Sequence, residues 1–345
     1  DNIGQKENEP YFLNNSTMHG DELAGYILSL RLIDYILKGY NNNTRLTELV
    51  NEIDIWINPL ANPDGAYYGG NQDVWSAIRY NSNWVDLNRN YPDPEDGAHP
   101  DGNPYQEETN IFLGLADTVN FTISANMHSG AEVCNYPWDT WSNLTADDNW
   151  WQYVSQEYAD SCQTNSGNGY FNYLNDGITN GWDWYSVAGG RQDYMNYFKH
   201  CRELTLELSD DKTPNPNDLP MLWDANYPSL LNYMEQSLYG IRGIVTDSIT
   251  GNPLKAKIEI NNHDVDSSHV YSNLPIGNYH RYLYQGNYSL TYSKNGYYPK
   301  TINATILNND VVIEDVELVP FGNTTSISEI ATSKSNNIIN IDILG

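Results

Sequence analysis

The chain has 345 residues, 17 of them basic and 45 acidic, for a formal net charge of −28. So acidic a molecule excludes nucleic acid, which demands a basic footprint, and it disfavours an anionic membrane face. Long-range attraction is left for cationic ligands, no stretch approaches the ~18 apolar residues of a membrane span, and the length allows two domains.

The low proportion of charged residues, with abundant Asn, Ser, Thr, Tyr and Trp, reads as an exported protein, extracellular or periplasmic. Three cysteines (Cys134, Cys162, Cys201) permit one disulfide or none. None lies in a C-x-x-C pair, which argues against a cysteine zinc site. The first residues carry no signal peptide, so the sequence is read as a mature chain or a fragment.

In chain order, residues 1–9 are polar and loop-like, and Tyr11-Phe12-Leu13 opens a strand. Met18-His19-Gly20-Asp21-Glu22 follows directly. Leu23, Ile27, Leu30 and Leu37 then recur at helical spacing, which predicts a helix over 22–38, ended by Gly39 and the asparagines at 41–43. A strand is predicted at 53–57, closed by Asn58-Pro59 and Asn62-Pro63-Asp64-Gly65. The irregular stretch 67–103 holds too many aromatic residues for disorder, so it reads as a functional loop. Helices are predicted at 107–119, 150–161 and 220–238, strands at 121–127 and 204–208, and a Gly- and Asn-rich loop at 165–183. This alternation implies an α/β class with a mixed sheet flanked by helices. After Tyr239 short β runs at 241–245, 256–260, 286–292 and 311–318 predict a small all-β sandwich. Residues 321–345 read as a linker or the start of a C-terminal sorting region.

Metal chemistry enters with His19 and Glu22. A strand-to-helix junction holds two side chains rigidly, and a catalytic zinc takes three protein ligands and keeps one position open. His128 ends a strand and is the best third ligand; His99, His200, His263, His269 and His280 lack such a setting. Glu207 lies within an apolar strand, where burial would raise its pKa to suit a base. Alternation puts Thr205 and Glu207 on one face and Leu204, Leu206 and Leu208 on the other, so a surface-facing Glu207 on an edge strand stays open. Arg79, Asn88 and Arg89 fall in the long loop, where guanidinium groups suit a carboxylate or a developing oxyanion.

Together, His19-Gly20-Asp21-Glu22, Arg79, Asp86-Leu87-Asn88-Arg89-Asn90-Tyr91, His128, the run from Trp184 and Tyr185 through Gly189-Gly190 to Gln192-Asp193-Tyr194, and Leu204-Thr205-Leu206-Glu207-Leu208 resemble the zinc metallocarboxypeptidases, most closely the N/E regulatory branch. The resemblance runs from about Tyr11 to Leu238, and the β part resembles the transthyretin-like domain that follows in that branch. It implies domains at 1–239 and 240–320. It further implies one Zn²⁺ on His19, Glu22 and His128, with Glu207 as general base and acid. Arg79 would hold the oxyanion, and Asn88, Arg89 and Tyr185 the substrate's terminal carboxylate. Asp139 and Gln192 would line a pocket for a C-terminal Lys or Arg. The implied partners are the C-termini of peptides or proteins, met by a monomer. Family members carry further strands before the first ligand pair, so the resemblance also implies a missing front of roughly 60 residues. The Asn-rich, acidic composition suggests a bacterial source. Two competitors are an aspartoacylase-like zinc deacylase, which shares the His-x-x-Glu and Asp-Leu-Asn-Arg patterns, and a non-catalytic binding protein on the same scaffold. Tyr185, the Gly-Gly pair and the β part count against the first, and the full set of site residues against the second.

Overall fold

The computed structural model describes residues 6–167 and 169–322, so the segment read as a linker or sorting region falls almost wholly outside the described residues. The first part of the chain runs β1 (Tyr11–Ser16), α1 (Ala24–Gly39), α2 (Thr44–Glu52), β2 (Asp54–Asn58), a short α3 (Pro63–Ala66), α4 (Glu107–Thr118), β3 (Phe121–His128), β4 (Ala131–Tyr136), α5 (Asp148–Ser166), a tight turn α6 (Tyr173–Gly177), β5 (Ile178–Asn180), a short α7 (Gly181–Trp184), α8 (Arg191–Lys199), β6 (Arg202–Ser209) and α9 (Leu219–Glu235). Six strands form one mixed sheet in the order β2-β1-β3-β6-β4-β5. The first four are parallel, and β4 runs antiparallel to β6.

Both faces of this sheet are covered. On one, Leu28, Leu32 and Ile36 of α1, Trp151 and Val154 of α5 and Leu230 of α9 pack onto Ile123, Ala125, Leu204, Leu206 and Leu208. Each such side chain taken fully from water contributes about 1.5–3 kcal/mol. On the other, Leu13, Phe112, Ala116, Tyr194 and Met195 join α4 and α8 to the sheet. The alternation along β6 therefore sends its leucines to one interior and Glu203, Thr205 and Glu207 to another. Every residue of β6 is buried, which removes the edge-strand reading of Glu207.

Other departures from the sequence reading are local. The segment 165–183 is not all loop, since it contributes β5 at the sheet edge and the turn α7. Helix α5 extends to Ser166, where Gly167 ends it with φ of 65°. The elements α2, β4 and α8 were not anticipated.

The rest of the chain forms β7 (Gly240–Asp247), β8 (Lys257–Ile260), β9 (Val270–Tyr271), β10 (Asn278–Arg281), β11 (Gly286–Ser293), β12 (Lys300–Ile306), β13 (Val311–Ile313) and β14 (Val316–Leu318). One sheet holds β10-β7-β13 with β14 also on β7, and the other is β12-β11-β8-β9. They enclose their own core, with Ile241, Val245, Ile258, Leu290, Tyr292 and Leu318. The run expected as one strand at 311–318 is broken at Glu314-Asp315. There Glu314 N–H bonds Arg242 O at 2.8 Å, and Asp315 accepts from Ile244 N–H at 2.8 Å. Gly243 makes room for this kink, since a Cβ would lie 2.1 Å from Glu314 O.

A buried ion-pair knot joins the two parts. Arg281 donates to both oxygens of Asp147 at 2.8 Å and to Asp264 at 2.6 Å. Arg202 adds 2.8 Å to Asp147, and the His263 Nε2 lies 3.0 Å from it. Asp147, His263 and Asp264 have a metal-like spacing, but two guanidinium groups already occupy these carboxylates.

Candidate active site

Three strand ends deliver the chemistry. After β1 the backbone turns at Thr17 (φ 59°), and a Glu22 N–H to His19 O bond of 3.2 Å brings both side chains to one side. Gly20 is needed in this turn, because a Cβ there would sit 2.2 Å from the backbone of Gly65. His128 closes β3, and the sheet register pairs it directly with Glu207 of β6.

His19 Nδ1 lies 2.9 Å from Glu22 Oε1, His128 Nδ1 lies 2.8 Å from Glu22 Oε2, and the two Nδ1 atoms are 3.1 Å apart. All three side chains are about 3% exposed. His19 Nε2 lies 2.9 Å from Asp86 Oδ1. A carboxylate there accepts from the imidazole Nε2–H, which leaves the Nδ1 lone pair bare in the neutral ring. His128 Nε2 is 2.9 Å from the Asn126 amide. With the amide donating, the neutral His128 ring carries its proton on Nδ1 toward Glu22 Oε2, a proton that a metal ion at Nδ1 would replace. Tetrahedral ligands at ~2.0–2.1 Å from one ion lie roughly 3.3 Å apart, close to what is observed. The donor set of two imidazoles and one carboxylate fits a catalytic Zn²⁺ and leaves a position open.

Around this cluster, Arg79 Nε bonds Asp86 Oδ2 at 2.9 Å while its Nη1 stands 3.4 Å from Glu22 Oε1. Lys212 Nζ reaches Glu22 Oε1 at 3.0 Å. Burial alone would raise the Glu22 carboxyl, yet His19 and His128 hold it well below the usual range. The Glu207 carboxyl is pushed up to about 8, first by burial and then by the charge of Glu22. Its Oε2 has no hydrogen-bond partner among the described residues. A dication among His19, Glu22 and His128 would offset that rise.

The loop 86–91 and the segment 185–193 build the neighbouring pocket. Asp86 caps the turn of Leu87–Arg89 by accepting from Asn88 N–H at 2.9 Å. Asn88 Oδ1 accepts from Arg191 N–H at 2.9 Å, which leaves its amide NH₂ to donate outward. Arg89 Nη1 donates to Asn88 O at 2.8 Å. Gly189, with φ of 72°, lies under this loop, and a Cβ there would stand 2.3 Å from Arg89 O. Tyr185 follows α7, half exposed. Burial first, then Glu207 and Asp139, push its phenol up to about 12, while Arg89 and Arg79 pull it back, so all four charges lie within its reach.

Asp139 is 4% exposed. Its Oδ1 accepts from Asn135 Nδ2 at 3.0 Å and Gln192 Nε2 at 3.1 Å, and it has no salt-bridge partner among the described residues. Burial raises its carboxyl to about 6. Gly181 leaves it room, since a Cβ there would lie 1.8 Å from Oδ1. The pocket therefore holds a buried carboxylate that Arg89 influences through space but that no described cation pairs with directly.

The ten residues singled out in the sequence thus gather around one cleft. Sequence reasoning assigned no role to Asp86 or Asp193, although both stood in the motifs. Asp193 accepts from the N–H groups of Asp139 at 3.0 Å and Thr140 at 2.8 Å and so fixes the Asp139 segment. Lys212 and Asn126 carried no signal in spacing or type.

Comparison with known proteins agrees with this geometry. Residues 2–229 match the family described as zinc carboxypeptidase. The chain is 36% identical over 335 residues to mouse (Mus musculus) carboxypeptidase D, covering 92% of this chain and 24% of that protein. It is 34% identical over 346 residues to the mouse carboxypeptidase N catalytic chain, covering 90% of this chain and 74% of that one. Carboxypeptidase SOL1 of Arabidopsis thaliana is 33% identical over 330 residues, with 93% and 64% covered. The chain therefore spans about a quarter of the length of the carboxypeptidase D relative. Among solved structures, thrombin activatable fibrinolysis inhibitor superposes with a TM-score of 0.57 at 16% identity, covering 68% of this chain and 63% of that one. Carboxypeptidase A from Helicoverpa armigera gives 0.56 at 18%, covering 68% and 62%. These two likenesses show the fold.

Proposed function

Because the chain belongs to the zinc carboxypeptidase family, we propose that it removes single residues from peptide C-termini, with a preference for Lys and Arg. The observation that supports this most is the meeting of His19, Glu22 and His128 beside a Glu207 whose carboxyl oxygen Oε2 is unpaired among the described residues.

His19, Glu22 and His128 would hold one Zn²⁺, which when bound supplies Lewis acidity to a water and to the scissile carbonyl. Glu207 takes the proton from that water as it attacks and passes it to the leaving amine. Arg79, fixed by Asp86, stabilises the oxyanion. Asn88, Arg89 and Tyr185 grip the terminal carboxylate, with Arg89 able to do so bidentately. This anchor sets which peptide bond meets Glu207. Asp139, steadied by Gln192, Asn135 and Asp193, receives the basic side chain in a site where a charge-assisted hydrogen bond is strong. The relatives' carboxypeptidase names agree with the reaction, and the pocket carboxylate, which no described cation pairs with directly, supports the basic preference.

In this reading residues 1–239 are the catalytic domain and 240–320 a transthyretin-like domain. The protein works outside the cytoplasm as a monomer. The test is release of free arginine from a peptide ending in Arg, compared with one ending in Leu. Equal rates sink the basic preference, and cleavage of neither sinks the activity.

A further inference from the structure

Where the α/β sheet meets the β part lies a cavity of about 280 Å³ that peptide hydrolysis does not use. Its walls come from the ends of α4 and α8, the start of β3, and the strands β9 and β10. Its titratable side chains are those of Asp117, Lys199, His200, Lys255, Tyr271 and His280.

His280 is 5% exposed, yet neither ring nitrogen has a hydrogen-bond partner among the described residues. Burial, with Arg242 beside it, lowers its pKa to about 3, so the ring is neutral. The residue lines the cavity, and its neutral ring carries one N–H donor and one lone pair. Buried polar groups are rarely left unpaired without a reason. His200 lies 2.9 Å from Ser267 O through Nδ1. That nitrogen must donate, and Nε2 keeps its lone pair in the neutral ring.

The charges do not cancel. Lys199 is paired with Asp117. Lys255 has no ion pair among the described residues, and its Nζ stands 5.8 Å from the Tyr271 ring centroid. Two helix C-termini point here and would repel an anion, an unfavourable effect that the engaged carbonyls of Gly114, Leu115 and Met195 reduce in part. Thr118 Oγ1 donates to Gly114 O at 3.2 Å and Leu115 O at 2.9 Å. The N–H groups of His200 and Cys201 both bond Met195 O. One free ammonium remains, in a molecule of net charge −28.

We propose that this seam cavity binds a protonated oxyanion, a phosphate group held by Lys255 with His280 and His200. Hydrogen phosphate carries acceptor oxygens for the ammonium and for an imidazole N–H, together with an O–H for a bare imidazole nitrogen. Sulfate has no such proton. The group could belong to the free ion or to a phosphomonoester, and its site would bridge the two parts of the chain.

The test is calorimetric titration of the full chain with inorganic phosphate at pH 7 and constant ionic strength, with sulfate and glycerol phosphate as further arms. The expected result is one saturable phosphate site, weakened roughly tenfold or more by Lys255→Gln. Lys255 is exposed, so its replacement spares the fold and leaves arginine release unchanged. Arg89→Gln, in the other pocket, should retain the site. Tighter binding of glycerol phosphate would identify an ester as the ligand, and tighter binding of phosphate the free ion. Undiminished affinity in Lys255→Gln, loss of the site in Arg89→Gln, or no saturable heat would overturn the proposal. Sulfate bound as tightly as phosphate would overturn the protonated-oxyanion assignment.

Discussion

Among the described residues two clusters of histidines and carboxylates have a metal-like spacing, and they are built on opposite principles. At the knot between the two parts, each Asp147 oxygen has guanidinium donors and Asp264 has another. In the cleft, two imidazole nitrogens stand 3.1 Å apart across a shared carboxylate, and Glu207 Oε2 faces no partner among the described residues. In the first cluster every carboxylate oxygen is met by a donor, with only the Nε atoms of Arg202 and Arg281 left unpaired among the described residues, and this suits a structural role. The second becomes satisfied only with a cation, a water and a substrate. Burial alone does not separate them; the count of donors against acceptors does.

Four predictions put that contrast at risk. Glu207→Gln should lower kcat for arginine release by about 10²–10⁴-fold while zinc content stays at one per chain. Retained turnover would remove Glu207 from the chemistry. Arg281→Met should cost roughly 3–5 kcal/mol of stability in denaturant melts, because it strips Asp147 and Asp264 of a buried partner. It should leave KM unchanged at temperatures where the protein is folded. An equal fall in kcat would show that the two clusters are not separable.

Asp139→Asn should reduce kcat/KM for a peptide ending in Arg by roughly 10²-fold, or about 2–3 kcal/mol, with little change for one ending in Leu. The smallest effect is in pH. The pocket must be ionised to bind a cation, and the Asp139 carboxyl is raised to about 6. KM for Arg-ending peptides should therefore fall as pH rises through about 6 and level off above it. A KM that rises over that range would contradict the assignment. The knot runs on a different scale, because Arg281 and Arg202 overcome the cost of burial and hold Asp147 well below the usual carboxylate range. Its contribution to stability is present above the unfolded pKa of ~3.9 and is lost only as pH falls through the lower folded value.

The proposed metal ligands were legible in the sequence because each sits near the end of a regular element, and the structure brings those ends together. Glu207 was legible in type but not in setting, since period-two alternation reads the same on an edge strand as on a covered central one. Helix α8 escaped notice for a physical reason. Six successive residues from Arg191 to Asn196 are buried, four of them polar beside Tyr194 and Met195, so no apolar period announces it. Arg191 is held by Glu203 at 2.7 Å and packs 4.0 Å from the centre of the Phe112 ring. Helix α2 was hidden because Asn43, read as the end of α1, is also its cap, accepting from Leu46 N–H at 3.2 Å. Strand β4 has a weak pattern of its own and takes its identity from pairing with β6. The roles of Asp86 and Asp193 depend on distances across 67 and 54 residues, which motif order does not encode.

The central claim is that His19, Glu22 and His128 hold a single zinc that Glu207 depends on. Its most direct test is to strip the protein with a chelator and add Zn²⁺ back while following arginine release from a peptide ending in Arg. Activity should vanish on stripping, return linearly, and saturate at one equivalent per chain. Activity that survives stripping, or that saturates at two equivalents, would contradict the account.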